Sequence, residues 1–295
     1  MNVLSLFDGM SCGQIALNKA KIKYKNYYAS EIDKHAICIT QKNYPNTIQL
    51  GDVTRINLLS LPKIDLLIGG SPCTGFSSCG KGLNFDDPQS KLFFDYVKIL
   101  NYLKPKYFLL ENVQMKDEYK RIITSYLKVP PIKINSSLVS AQNRIRLYWT
   151  NISVNTLPKD RNLTLKDIIE DYYIDDYNVT EKYKSYKPGT ASYEKSIVCL
   201  RSLSQKGKTL TAGGQYVVNS GATNIQIDDN YIRKITPIEA ERLQTVPDNY
   251  TQGVSDNQRY RMLGNGWTVD VIAHIFQGLN PDNRLIHNSL DSYFI

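Results

Sequence analysis

Cys73 lies in DLLIGGSPCTGFS, where an apolar run ends in two glycines and a thiol follows on a small-residue loop. At the carboxyl end of a strand, nearby cations or helix N-termini can favour the thiolate, which is the nucleophilic form. A lone cysteine is more often a small core hydrophobe, and this segment alone leaves both roles open. Glu111 closes the four apolar residues of YFLLENV. Burial there would let it donate a proton or a hydrogen bond, and the plainer role is a helix-capping acid. In QNRIRLYW, Arg144 and Arg146 alternate, which places two planar cations on one face of an incipient strand. Such a pair can anchor a phosphate, orient a base, or form ion pairs on an edge strand.

A second group of residues has nucleotide-binding character. VLSLF runs into DGMSCG, so a turn with Gly9 and Gly13 would aim backbone N–H groups at a ligand beyond the first strand. The turn is not GxGxxG, and taken alone it serves as well for plain connection. Glu31 in YYASEID can accept from both ribose hydroxyls, and Asp52 follows the short run IQLGDV. Three strand ends of this kind suit an adenosine pocket, for a dinucleotide or for S-adenosylmethionine.

These residues need a scaffold that gathers strand ends. Short apolar runs at 3–7, 27–30, 64–70, 107–110 and 146–150 alternate with helical spacing at 13–20, 33–43, 90–103 and 116–127. This predicts an α/β chain with a doubly wound, largely parallel sheet. Beyond residue 154 the pattern gives way to Tyr, Lys, Asp, Asn and Gly without a sustained period. It returns in TPIEAERLQ, where Thr236, Pro237 and Glu239 make a capping-box helix start, and a last helix is expected near 268–279. The expected domains are residues 1–155 with 250–295, and a smaller irregular domain at 156–249.

The 295 residues, 42% of them hydrophobic, suffice for a substantial core. A net charge of +8 suits a polyanionic partner, without demanding one. No run approaches the roughly 18–20 apolar residues of a membrane span, and the N-terminus has no leader pattern, so a cytoplasmic protein is expected. Five scattered cysteines without a CxxC pair and three separated histidines predict neither disulfides nor a metal site.

The ordered set Phe7-Asp8-Gly9, Ser71-Pro72-Cys73 with Phe76-Ser77, Glu111-Asn112-Val113, Gln142-x-Arg144-x-Arg146, RKITPIEAERLQTVPD and LGNGWTVDV resembles the cytosine-5 DNA methyltransferase family. The resemblance covers roughly 1–150 and 232–280 and departs at Ser11-Cys12, where many members carry glycines. It implies a Rossmann-like methyltransferase sheet and S-adenosylmethionine as methyl donor, leaving as S-adenosylhomocysteine. Cys73 would add to carbon 6 of cytosine, Glu111 would hold ring nitrogen 3 and the amino group, and Arg146 would orient the base, with Arg144 supporting the closed loop or a phosphate. Phe7, Asp8, Gly9, Ser11, Glu31, Ile32, Asp52, Val53, Pro72, Leu92, Asn265, Gly266 and Trp267 would line the cofactor pocket.

A cytosine within a duplex must be flipped out to reach such a pocket. The glycine-containing stretch 74–89, with Ser77 and Ser78, has the length of a loop closing over DNA. Residues 156–249 would be the target-recognition domain, with Thr209, Gly213, Gly214 and Gln215 of KTLTAGGQYV as candidate DNA contacts. The resemblance thus implies action on double-stranded DNA, with a monomer and a restriction–modification role as the expectation, and the Lys-, Asn-, Ile- and Tyr-rich composition points to an AT-rich bacterial or phage genome. The other readings are a transfer-RNA cytosine methyltransferase, a nicotinamide-dependent enzyme on the same sheet, and an inactive DNA-binding relative.

Overall fold

The computed structural model describes residues 1–71, 88–215, 217–218 and 221–280, with backbone alone for 88–90. Pro72, Cys73, Ser77, Ser78 and most of the expected closing loop lie outside the described residues. The chain forms two compact units, Met1–Ile134 with Ile145–Leu157 and the chain from Val271, and Asn135–Arg144 with Pro158–Asp270.

Unit 1 alternates strand and helix: β1 (Asn2–Leu6), α1 (Cys12–Lys19), β2 (Asn26–Ser30), α2 (Lys34–Asn43), β3 (Ile48–Gln49), β4 (Leu66–Gly70), α3 (Pro88–Leu103), β5 (Tyr107–Val113), α4 (Asp117–Leu127), β6 (Ile132–Asn135) and β7 (Ile145–Thr150). They build a seven-stranded sheet in the order β3-β2-β1-β4-β5-β7-β6. Pairing is parallel from β3 through β5, whereas β7 runs antiparallel to β5. The chain moves outward from β1 through β2 to β3, then returns to lay β4 on the other side of β1. That reversal opens a crevice at the carboxyl ends of β1 and β4, the usual ligand position in open α/β sheets.

Strands of a sheet covered on both faces read as continuous apolar runs. Val3, Leu4 and Leu6 of β1 and Leu66, Leu67 and Ile68 of β4 are accordingly fully buried. One core cluster joins Leu4, Leu6 and Leu67 to Phe93 of α3, Leu110 of β5 and Trp149 of β7. Gly13 lets α1 settle on the sheet, because a Cβ there would stand 2.5 Å from both Ile68 Cδ1 and the Tyr27 hydroxyl. The expected strands and helices of this unit are present. β5 extends through Glu111 and Asn112 to Val113, because β7 arrives antiparallel and pairs Tyr148 with Glu111 and Arg146 with Val113.

Unit 2, which shows no legible period before Thr236, holds short elements: α5 (Thr180–Lys184), α6 (Ala191–Cys199), β8 (Leu200–Ser202), β9 (Asn224–Asp228), β10 (Tyr231–Lys234), α7 (Pro237–Leu243), α8 (Asp256–Asn265) and the start of α9 (Val269–Phe276). β8, β9 and β10 form a three-stranded sheet. Helix α7 begins as the sequence predicts, with a reciprocal Thr236–Glu239 capping box and Pro237 in its first turn. The Glu239 carboxylate also takes both arms of Arg233, at 2.7 and 2.8 Å, and the amide of Glu170. Both partners of this ion pair are fully buried. Arg233 spends its remaining donors on the carbonyls of Asp171, Tyr172 and Lys234, so the pair is hydrogen-bonded all round.

Among the described residues no helix is long and apolar enough to cross a membrane. Removing one member of a buried ion pair strands the other, at a cost of about 3–5 kcal/mol. Glu239→Ala should therefore lower the unfolding free energy measured in urea by that much, and the double change Arg233→Met with Glu239→Leu should recover most of it. Equal loss in both variants would contradict this account of the pair.

Candidate active site

Phe7, Asp8, Gly9, Glu31, Ile32, Asp52 and Val53 each follow the carboxyl end of a parallel strand, Glu111 lies near the end of β5, and Arg146 near the start of antiparallel β7 shares that edge. The turn after β1 is held in an unusual backbone: Phe7 and Ser11 have φ of 57° and 65°, and Gly9 has 59°. Left-handed conformations cost non-glycine residues about 1–3 kcal/mol each, so the surrounding structure must impose them. Part of that hold is Glu31, at the end of β2, whose Oε2 accepts from Gly9 N at 2.7 Å while Oε1 accepts from the amides of Ile32 and Asp33.

Ile32 beside it is a large apolar side chain left 76% exposed. Asp52 follows β3 and accepts from the amide and hydroxyl of Thr54, which hold its carboxyl below the usual range. Val53 is buried, while Phe7 and Leu92 pack partly against the core cluster.

Asp8 is buried beneath this turn. Its Oδ1 accepts from the Tyr27 hydroxyl at 2.8 Å, and its Oδ2 has no hydrogen-bond partner. Burial pushes the carboxyl up to about 6, against the lowering effect of its Ser5, Tyr27 and Ser11 neighbours.

Glu111 and Arg146 meet one step along the sheet. Arg146 lies opposite Val113, so it is the diagonal neighbour of Glu111 on one face, and its Nε reaches Glu111 Oε1 at 2.9 Å. Both side chains are largely buried but still reach solvent, 13% and 11% exposed. Asn112 points to the opposite face, where its Nδ2 donates to Ser71 Oγ at 3.2 Å while its Oδ1 accepts from Val113 N. Ser71 is the last described residue before Pro72-Cys73, so Asn112 anchors the residue that precedes them in the chain. The sequence reading quoted Asn112 without giving it a task. The signal was its place beside Glu111, since alternation in a strand sends it to the other face.

The two arginines read as neighbours on one strand separate. β7 begins at Ile145, and Arg144 precedes it in unit 2, buried, with its guanidinium donating to the carbonyls of Leu210, Gly264 and Gly266. It is a brace for LGNGW and not a phosphate anchor, because its head is committed to backbone oxygens.

Gln142, also buried, donates to Leu243 O and to Gln244 Oε1. Thr268 Oγ1 donates to the same Gln244 oxygen. Gln244 and Thr268 went unnoticed in the sequence because neither a glutamine nor a threonine is informative until its partner is known.

Asn265 ends α8 in an exposed position, Gly266 caps it, and Trp267 is buried. Thr209 gives its hydroxyl to Asn143 O. Gly214 sits at φ 76° in the adjoining turn, next to Gly213. Gln215 differs from its expected base-reading role: it is buried, its amide donating to Gly221 O and accepting from Thr223 N, which closes the loop between them.

A doubly wound sheet with a cofactor-type turn at the strand-order reversal and a carboxylate–guanidinium pair beside it is the arrangement of a Rossmann-like methyltransferase. The chain belongs to the C-5 cytosine-specific DNA methylase family, whose model matches residues 1–280. It is 31% identical to the type II methyltransferase M.NlaX of Neisseria lactamica, over 92% of this chain and 94% of that one. To M1.ScrFI of Lactococcus lactis subsp. cremoris it is 30% identical, over 92% and 76%. Among solved structures, the Entamoeba histolytica methyltransferase EhMeth superposes with a TM-score of 0.79 at 18% identity, covering 95% of this chain and 99% of that chain. The protein is thus a DNA cytosine methyltransferase that uses an S-adenosylmethionine-type methyl donor. Among the described residues no group of His, Cys, Asp and Glu could hold a metal ion.

Asp8 gives this site a pH signature. Folded Asp8 keeps its proton up to about pH 6, whereas the unfolded chain releases it near 3.8. The native state therefore binds more protons in that window, and stability falls as pH rises from about 4 to about 6, by up to about 3 kcal/mol. Urea unfolding across this range should show the decline in the wild type and lack it in Asp8→Asn. A constant difference between the two proteins would refute the assignment.

Proposed function

We propose that the protein methylates carbon 5 of a cytosine flipped out of duplex DNA, through a covalent adduct to Cys73. The observation that carries this reading is the Glu111–Arg146 pair at the carboxyl edge, with Asn112 on the same strand tethering Ser71 ahead of Pro72-Cys73. Cytosine carbon 5 is a poor nucleophile until a group adds at carbon 6. Cys73 would supply that group, its Sγ–carbon bond forming as electron density moves to carbon 5 and toward ring nitrogen 3. Glu111 would hold nitrogen 3 and the amino group through that change, and Arg146 would keep the carboxylate aimed and orient the base. When bound, S-adenosylmethionine supplies an electrophilic methyl group for carbon 5 and leaves as S-adenosylhomocysteine. Loss of the carbon 5 proton to a base then restores the ring and expels the Cys73 thiolate.

The residues present suit such a donor. Glu31 stands where ribose hydroxyls would need an acceptor, the bared face of Ile32 suits adenine, and the Gly9 turn leaves room for backbone approach. Phe7, Asp8, Ser11, Asp52, Val53, Pro72, Leu92, Asn265, Gly266 and Trp267 would complete its surroundings. Unit 2 would read the target, with Thr209, Gly213 and Gly214 near the backbone phosphates and Ser77 and Ser78 on the closing loop. Flipping the base costs roughly a few kcal/mol, offset by contacts to phosphates and the extrahelical base.

Radiolabelled methyl transfer to genomic DNA tests the reading. Cys73→Ser should abolish transfer while leaving S-adenosylmethionine affinity close to that of the wild type. Glu111→Gln should lower kcat by about 100- to 1000-fold, the usual loss for one electrostatic stabiliser. Undiminished transfer by Cys73→Ser would sink the covalent mechanism.

A further inference from the structure

We propose that the opposite edge of the same sheet carries a second, sequence-independent contact for nucleic-acid phosphates, built on Lys21, Lys23 and Lys25. The proposal rests on the reading above only in taking a nucleic acid as the partner. Residues 20–25 join α1 to β2, and residues 44–47 join α2 to β3, so both connections precede their strands. They therefore lie at the edge where the parallel strands begin, away from the Glu111–Arg146 pair, while the groove floor reaches back through Gln14 to Ser11 of the turn after β1.

Between these connections runs a groove of about 760 Å³. Among the described residues its lining includes the three lysines and not a single Asp or Glu. All three lysines are exposed, while Ile22 and Tyr24 between them are half-buried, so the three stems share the solvent side. Among the described residues none of the three forms an ion pair with a carboxylate.

The groove floor is ordered. Tyr24 donates its hydroxyl to Gln14 Oε1 at 2.8 Å, and Gln14 in turn donates to Ser11 Oγ and Thr47 Oγ1. Asn18 donates to the Tyr44 hydroxyl at 3.2 Å. Both tyrosine rings are thereby fixed beside the cations, which gives the basic groove an ordered floor.

Uncompensated ammonium groups repel one another, and a polyanion relieves this while releasing its own counterions. The cations are strung along the chain and do not converge on one point, which suits a line of phosphates better than a single small anion. A partner held here would not compete with the target base, because the two sites occupy different edges. The contact would raise affinity for any duplex and leave the chemical step alone.

The test uses the full-length protein and a duplex of A·T pairs, which offers no cytosine. Binding is measured against salt for the wild type, for the variant Lys21→Asn, Lys23→Gln and Lys25→Gln, and for a control, Arg121→Gln, Lys128→Gln and Lys133→Gln, with the same charge loss. Asparagine is used at 21 because that residue has φ 58°. The groove variant should reduce the slope of log affinity on log salt by about 2 to 3, and weaken binding at low salt roughly tens-fold. The control should change the slope by less, and methyl transfer at saturating cytosine-containing duplex should match the wild type. An unchanged slope, or one lowered equally by the control, overturns the proposal. So does competition by inorganic phosphate at the groove with duplex binding unaltered, which would identify a small-anion site. Absence of methyl transfer by the wild type would count against the earlier reading, and the salt slope would still decide this one.

Discussion

Because β7 runs antiparallel to β5, its first residues lie at the edge where β5 ends. A parallel strand in that position would have delivered its beginning to the other edge, and Arg146 with it. The antiparallel register sets Arg146 opposite Val113 and diagonal to Glu111, within reach of a direct ion pair. The same pairing continues the ladder through Asn112, whose alternation to the opposite face allows it to hold Ser71. One reversal of strand direction therefore gathers a carboxylate, a guanidinium and Ser71.

The crevice itself depends on the reversal of strand order between β1 and β4. Where the strand order reverses, the turn after β1 is left uncovered by a crossover. The turn after β1 uses this freedom for a strained path through Phe7 and Ser11, tied by Glu31 above and resting on Asp8 and Tyr27 below. Gly13 permits the close approach of α1 that brings the Tyr27 hydroxyl to Asp8. Strain, a buried carboxylate and a tight helix contact coincide at this one turn of a DNA cytosine methyltransferase, in keeping with the concentration of such features at functional sites.

Unit 2 is held together differently. Its strands are short, and its interior relies on buried polar groups with well-matched partners: Arg233 with Glu239, Arg259 with Glu241, and Arg144 with three backbone carbonyls. Glu241 also accepts from the amides of Asn249 and Thr251, so that a loop is pinned to α7. Interactions of this kind contribute little net stability compared with apolar packing, but they are strongly directional. They can hold irregular backbone in one conformation where no periodic apolar face exists to do so.

The strands and helices of unit 1 were readable from the sequence because a two-face-buried parallel sheet writes continuous apolar runs, separated by helical spacing, into the chain. Cys73, Glu31 and Glu111 stood out for the same reason, as reactive side chains directly after such runs. The capping box at Thr236 was equally legible, since its partners lie within one turn. What only the tertiary structure decided are pairings across long stretches of chain: Arg144 with Gly264 and Gly266, and Asn112 with Ser71. Arg144 and Arg146 look equivalent in QNRIR, yet one is committed to carbonyls and the other to a carboxylate. Local sequence determines which conformation a residue prefers, whereas the partner of a charged or amide side chain depends on which distant segment folding brings beside it.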